Sequence, residues 1–432
     1  MIKVRLFYIL IFFSITFSQD CNDNMLMYDC VGTWFCNDEA TYGYDCYVNN
    51  EFCEDFNGDG IVDSWVGDGW CDDGEWGYNF QCEDYSYDCG DCGDDYSDDF
   101  GYCSHVIEMS NFEHDGINRQ YYFYKPENLA ENSPLIFVLH GYTSSANNIM
   151  NYSNMNSIAD QNGFAVCYPQ GTSDQYNNNF WNVGYAFHGN QTVDDVGFLT
   201  SLATYLQNEY SLSLQSTFST GMSNGGDMSY MLACQAHDIF SAIAPVAGSM
   251  MESIYDSCDG VPVPVLEIHG TNDNTTLWEG DMENNDGWGA YLSTLDAIDY
   301  WVDVNDCQES EDINLPNTDF SDGSYVINHR YYDCAQNNEV WLYEVVNGGH
   351  DWPGAYGNMD IDASSEIWKF LEQFTFTVGD VNQDNILNIL DVIYLIDLIL
   401  NSESNNSLAD MNGDGQINVV DVVFLVNLIL SE

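Results

Sequence analysis

Along this 432-residue chain the rhythm of apolar and polar positions changes three times. Residues 1–18 place Lys3 and Arg5 ahead of an apolar run from 6 to 17 that ends at Ser18. That order predicts a secretory signal, too short to span a bilayer comfortably. From 19 to 103 neither a period of 2 nor one of 3.6 appears. From 104 to 376 short apolar runs alternate with helical patterns. Runs at 121–124, 135–139, 164–169, 263–268 and 340–346 predict strands. After Asp194, a suitable N-cap, Val196, Leu199, Leu202, Ala203 and Leu206 fall on one helical face. Such alternation predicts an α/β domain with a mostly parallel sheet. Beyond 377, two apolar stretches at 392–400 and 422–430 predict a small all-α module.

A β-prone run at 218–220 leads into Gly221-Met222-Ser223-Asn224-Gly225-Gly226, with a helical pattern behind it. A serine on a sharp strand-to-helix turn exposes its hydroxyl, and the helix N-terminus stabilises developing negative charge. An ordinary glycine turn with a solvated serine fits the same six residues, so the partners decide. The strand at 263–268 runs into His269-Gly270-Thr271-Asn272-Asp273, and that at 340–346 into Gly348-Gly349-His350-Asp351. Ser223, Asp273 and His350 therefore each follow a strand, in the chain order of an α/β-hydrolase triad. Serine is a poor nucleophile until an imidazole takes its proton, and the imidazole needs a carboxylate to fix its tautomer. The backbone N–H groups of Asn224 and of Tyr142, after His140-Gly141, form the expected oxyanion pair. His140 and His269 read as structural or oxyanion-loop residues, and Asp195 as a capping or supporting carboxylate. Trp181, Tyr185, Phe187 and Trp278 fit either an aromatic acyl pocket or packing.

Charge and cysteine narrow the setting. Seventy Asp+Glu face six Lys+Arg, and Lys3 and Arg5 lie in the signal, which leaves Arg119, Lys125, Arg330 and Lys369. Such a surface repels nucleic acid and anionic membranes, and its self-repulsion is relieved by salt and divalent cations. No further segment reads as membrane-spanning. Fifteen cysteines imply an extracellular, disulfide-bonded protein, with ten of them between Cys21 and Cys103. Residues 19–103 thus read as a cross-linked, loop-rich module whose connectivity the sequence does not settle. Asp55, Asn57 and Asp59 alternate as in a calcium loop, but Val66 occupies the twelfth position. A complete EF-hand is unsupported, and calcium binding in this module stays open.

On Leu139-His140-Gly141, Tyr168-Pro169-Gln170-Gly171, Asp194-Asp195-Val196-Gly197-Phe198, Gly221–Gly226, His269–Asp273 and Gly348–Gly354, the segment 104–376 resembles the secreted esterases of carbohydrate esterase family 1. That group includes feruloyl and acetylxylan esterases and polyhydroxybutyrate depolymerase-like proteins. The resemblance implies Ser223 as nucleophile, Asp273 as acid and His350 as base. It also implies disulfides Cys234–Cys258 and Cys307–Cys334, with Cys167 unpaired in a strand. In the N-terminal module, 65–72 with Cys82 and 88–92 resemble the calcium-dependent Notch-type cysteine repeat, departing at Cys89, where glycine is usual.

At the other end, Asp380, Asn382, Asp384, Asn388 and Asp391 recur thirty positions on as Asp410, Asn412, Asp414, Asn418 and Asp421. Oxygen side chains at positions 1, 3, 5, 9 and 12 are what Ca²⁺ coordination requires. The duplication over 377–432 resembles a dockerin, which implies a cohesin-type protein partner. It departs where partner-reading hydroxyl residues usually follow position 9, since Ile389-Leu390 and Val419-Val420 stand there, so surface attachment without a cohesin is a second reading. The whole reads as an extracellular serine esterase acting on polysaccharide-linked esters, with structural Ca²⁺ and no catalytic cofactor. Its rivals are a polyester depolymerase and a non-catalytic adhesion or scaffold protein.

Overall fold

The computed structural model describes residues 26–28, 34–38, 44–46, 107, 109–127, 129–375, 379–382, 387–401, 409–411 and 416–431. The expected signal, the calcium loop at 55–66 and the Notch-type stretch lie outside these residues. In the N-terminal unit, β1 (Leu26–Tyr28), β2 (Trp34–Asp38) and β3 (Tyr44–Cys46) pair antiparallel in that order.

The second unit holds the α/β domain. Its chain order is β4 (Ser110–His114), β5 (Ile117–Tyr124), β6 (Leu135–Leu139), α1 (Ala146–Ser153), α2 (Met155–Asn162) and β7 (Ala165–Pro169). A two-residue-stranded hairpin, β8 (Thr172–Ser173) with β9 (Asn179–Phe180), precedes α3 (Asp195–Tyr210), β10 (Thr217–Met222), α4 (Asn224–Gln235), β11 (Ala242–Val246), α5 (Glu252–Ser257) and β12 (Val265–Gly270). Then come α6 (Thr294–Val304), β13 (Glu309–Asn314), β14 (Tyr325–Tyr332), β15 (Val340–Val346) and α7 (Ala363–Leu371).

Ten strands form one sheet in the order β13-β14-β15-β12-β11-β10-β6-β7-β5-β4. The six from β15 to β7 run parallel, and two antiparallel strands flank them on each side. Every residue of β6, β7, β11 and β12 is buried, as expected for strands covered by helices on both faces. At the edge, β13 is exposed throughout and carries Glu309, Glu311 and Asp312, charges that oppose pairing with another sheet. From β6 the chain goes first to β7 on one side and later to β10 on the other. The strand order thus reverses at β6–β10, the crevice where such sheets gather ligands.

Disulfides Cys234–Cys258 and Cys307–Cys334 are formed, and Cys167 is free and buried in β7. Arg119 of β5 ties down the start of α3: it is buried, donates to Asp195 Oδ1 at 2.7 Å and lies over the Phe198 ring. Asp194 caps that helix, accepting from Gly197 N at 2.8 Å.

The C-terminal helices are α8 (Ile389–Asn401) and α9 (Val419–Ser431). Each begins three residues before its predicted apolar period. The Oδ1 atoms of Asn388 and Asn418 cap them, accepting from Leu390 N at 2.8 Å and Val420 N at 2.9 Å. Val381, Val392, Leu395, Leu398, Ala409 and Leu425 make a core of their own.

Candidate active site

Four loops meet at the C-terminal ends of the parallel strands: Tyr142 follows β6, Ser223 follows β10, Asp273 follows β12 and His350 follows β15. Ser223 sits at φ 56°, ψ −120°, a strained backbone held because its N–H donates to Val246 O and its carbonyl accepts from Asp227 N, both at 2.9 Å. The turn needs its glycines for space. A Cβ on Gly225 would fall on the carbonyl oxygen of Leu139, and one on Gly221 would lie 2.6 Å from the same atom. Helix α4 therefore approaches β6 closely enough to aim its first N–H groups beside Ser223.

Asp273 is buried and accepts three hydrogen bonds. Thr275 N and Thr276 N donate to Oδ1 at 2.7 and 2.9 Å, and His350 Nδ1 donates to Oδ2 at 2.7 Å. Placing the proton on Nδ1 leaves Nε2 of His350 as an acceptor. Among the hydrogen bonds of the described residues, none joins Ser223 to His350. In free enzymes such contacts often close only around substrate.

The loop that carries Tyr142 is built around His140. The amide N–H of Gly171 donates to its Nε2 at 3.0 Å, so the ring is neutral and its Nδ1–H donates to Gly141 O at 2.8 Å. Burial also pushes its pKa down, to about 4. In a trans peptide the carbonyl of Gly141 and the N–H of Tyr142 point opposite ways, so anchoring one aims the other. Trp181, completely buried, joins this loop to α4: its indole donates to His140 O at 2.9 Å, and its backbone exchanges two hydrogen bonds with the Asn224 side chain. Trp181 is thus packing rather than an acyl wall. Trp278 likewise stands edge-on to His269.

A narrow cleft opens at Ser223, with Tyr185, Met251, Trp288 and Tyr291 among its walls. Trp288 packs against Tyr142, Tyr185 and Phe187 with ring centres 5.2–5.7 Å apart. Tyr142 is held from below, donating through its hydroxyl to Asp174 Oδ2 at 2.7 Å, where His188 Nε2 also binds at 2.9 Å. Asp227 closes the floor, accepting from Tyr185 Oη at 2.6 Å and Ser249 N at 2.6 Å. Burial raises its pKa to about 7. Sequence reasoning passed over Asp227, Trp288, Tyr291 and Glu267. Asp227 lies one helical turn after Ser223, and Glu267 interrupts an apolar strand, so each carried a signal; Trp288 and Tyr291 lie in an aperiodic loop and carried none.

In the C-terminal loops the described candidates are Asp380, Asn382, Asn388, Asp391, Asp410, Asn418 and Asp421; Asp384, Asn412 and Asp414 lie outside the described residues. Asp380, Asp391 and Asp421 are buried. Asp391 accepts from Asn382 N at 3.2 Å and Asn388 N at 2.8 Å, and Asp421 from Asn418 N at 2.7 Å. An all-oxygen donor set with buried carboxylates fits a hard divalent cation.

Residues 119–265 match the family model described as esterase PHB depolymerase, and residues 378–430 that of the dockerin type I domain. The chain is 28% identical over 173 residues to a bifunctional acetylxylan esterase/xylanase of Neocallimastix patriciarum, covering 39% of this chain and 24% of that one. It is 27% identical over 274 residues to a probable feruloyl esterase C of Aspergillus niger, 62% of this chain and 89% of that one. To feruloyl esterase B of Thermothelomyces thermophilus it is 32% identical over 188 residues, 43% and 60% of the respective lengths.

Proposed function

We propose that the chain is a secreted carboxylic ester hydrolase that cleaves aryl or acetyl esters from polysaccharides by an acyl-enzyme route. The observation that carries this reading is the 2.7 Å Asp273–His350 contact at the C-terminal ends of the parallel strands, the same edge at which Ser223 sits on its strained turn. His350 Nε2 takes the Ser223 hydroxyl proton as Oγ attacks the ester carbonyl. The N–H groups of Tyr142 and Asn224 receive the resulting oxyanion, a contribution of about 10²–10³ in rate per donor. His350 then passes its proton to the departing sugar alcohol. Water, deprotonated by the same nitrogen, cleaves the acyl-serine and regenerates the hydroxyl. Asp273 stays ionised throughout and keeps the His350 proton on Nδ1.

Tyr185, Trp288 and Tyr291 favour a flat aromatic acyl group, in keeping with the feruloyl esterases among the relatives. A panel of feruloylated xylan, acetylated xylan, polyhydroxybutyrate and p-nitrophenyl esters tests the reading. Release of ferulate above all others supports it, preference for polyhydroxybutyrate replaces it with polyester depolymerisation, and release from none removes the esterase.

The domain division is part of the proposal: a leader at 1–18, a cysteine-rich module at 19–103, the esterase at 104–376 and paired calcium loops at 377–432. Ca²⁺ held by Asp380, Asp391, Asp410 and Asp421 with their neighbouring loop oxygens would order the tail, which would then bind a cohesin-type protein or another surface partner. The reaction needs no metal step.

A further inference from the structure

Behind Asp273 and His350 lies a second carboxylate–imidazole pair that the reaction as written does not use. Glu267 and His269 alternate along β12, so their side chains leave the same face of the sheet. Both are buried. His269 Nδ1 lies 2.9 Å from Glu267 Oε1, and Nε2 lies 2.9 Å from the carbonyl oxygen of Thr276. A carbonyl only accepts, so Nε2 carries a proton. Nδ1 faces the Glu267 carboxyl; burial raises that carboxyl's pKa, opposed by His269, by the Tyr230 hydroxyl, which donates to it at 2.9 Å, and by the backbone of Gly248. A second carboxylate oxygen, Asp273 Oδ2, lies 3.7 Å from Nε2. The ring is thus set between two carboxylates and a carbonyl, an arrangement that satisfies the imidazolium on every side. Burial opposes charge here, but the Glu267 hydrogen bond and charge, with Asp273, outweigh it and raise the His269 pKa.

We infer that His269, protonated on both ring nitrogens and held by Glu267, is a positioning residue for the triad: it grips the turn that carries Asp273 and sets a positive charge behind that carboxylate. This rests on reading Ser223, Asp273 and His350 as the triad. The grip centres on Thr276, whose N–H binds Asp273 while its carbonyl binds His269. The charge stabilises ionised Asp273 and opposes a second proton on His350, which must be neutral to accept from Ser223. The other titratable groups facing the pair are Tyr230 and Asp227, both on α4, and Asp351 faces Asp273 and His350. Gly248, Ser249 and Met250, and Thr294 and Ala297 of α6, which pack around the pair, are not titratable.

The test is Glu267→Gln in the full chain. The new amide donates to Nδ1, leaving His269 neutral while Nε2–H stays on Thr276. The acid limb of the kcat/KM profile is expected to move about one unit to higher pH, and kcat to fall several-fold with KM unchanged. A folded variant with an unmoved acid limb overturns the inference. Independently of activity and of this variant's folding, nitrogen-15 NMR of the unsubstituted protein at neutral pH should show His269 protonated at both ring nitrogens. A neutral ring overturns the inference even if the triad reading stands, whereas a Ser223→Ala protein with wild-type turnover sinks the triad reading and leaves the NMR result intact.

Discussion

The α/β domain and the C-terminal helical pair both bury carboxylates, and they stabilise them by opposite means. In the α/β domain each buried acid meets donors supplied by the chain. Asp273 has two amides and His350; Asp195 has Arg119 and Asn182 N; Asp227 has Tyr185 and Ser249. In the tail, Asp380, Asp391 and Asp421 are buried beside a core of six apolar residues, and no Lys, Arg or His follows Lys369. With no basic side chain in this stretch to offset three buried carboxylates, the tail is expected to depend on a cation from outside. A domain with a large core can install its own counter-charges, whereas one of about fifty residues borrows stability from a metal.

Four measurements break or sharpen that contrast. The largest effect belongs to Ser223→Ala, expected to lower kcat by about 10⁴-fold or more with an unchanged circular dichroism spectrum. Wild-type turnover in this variant would remove the serine from the chemistry. Next, chelation of Ca²⁺ should abolish the helical signal of the tail while ester hydrolysis continues. If both are lost together, the two regions are not independent and the comparison fails.

Smaller is Trp288→Ala, expected to cost about tenfold in kcat/KM on aryl esters and little on acetyl esters. Equal losses on both would make Trp288 a packing residue. Smallest is a pH effect at Asp227. Its pKa rises from 3.8 to about 7 on folding. Between these values the folded state holds a proton that the unfolded state has lost, so this group makes stability fall as pH rises from about 4 to 7. Asp227→Asn carries no such dependence. Its Tm relative to the wild type should therefore climb across that window and level off above it, and a constant difference would refute the burial argument.

Much of the framework was legible because it is local. The apolar runs at 135–139 and 340–346 coincide with β6 and β15, and the helix expected after Asp194 is α3. Strands β4, β11, β13 and β14 of the ten-stranded sheet were not read. Ala242-Ile243-Ala244-Pro245-Val246 is too weakly β-prone, and Pro245 argues against a central strand. Exposed, acidic β13 has no alternation and exists because β14 pairs with it.

By itself the sequence determined the alternating strand–helix framework, the serine turn and the twin oxygen-rich loops, since each depends on residues a few positions apart. Only the tertiary structure decided which side chains meet. Asp273 and His350 touch across 77 positions. Trp181 joins the loop after β6 to α4 instead of walling the cleft, and Trp288 takes the wall. Glu267 and His269 form a buried pair instead of two isolated strand residues. These outcomes depend on strand order and helix packing, and contacts between distant segments leave no periodic trace in the chain that forms them.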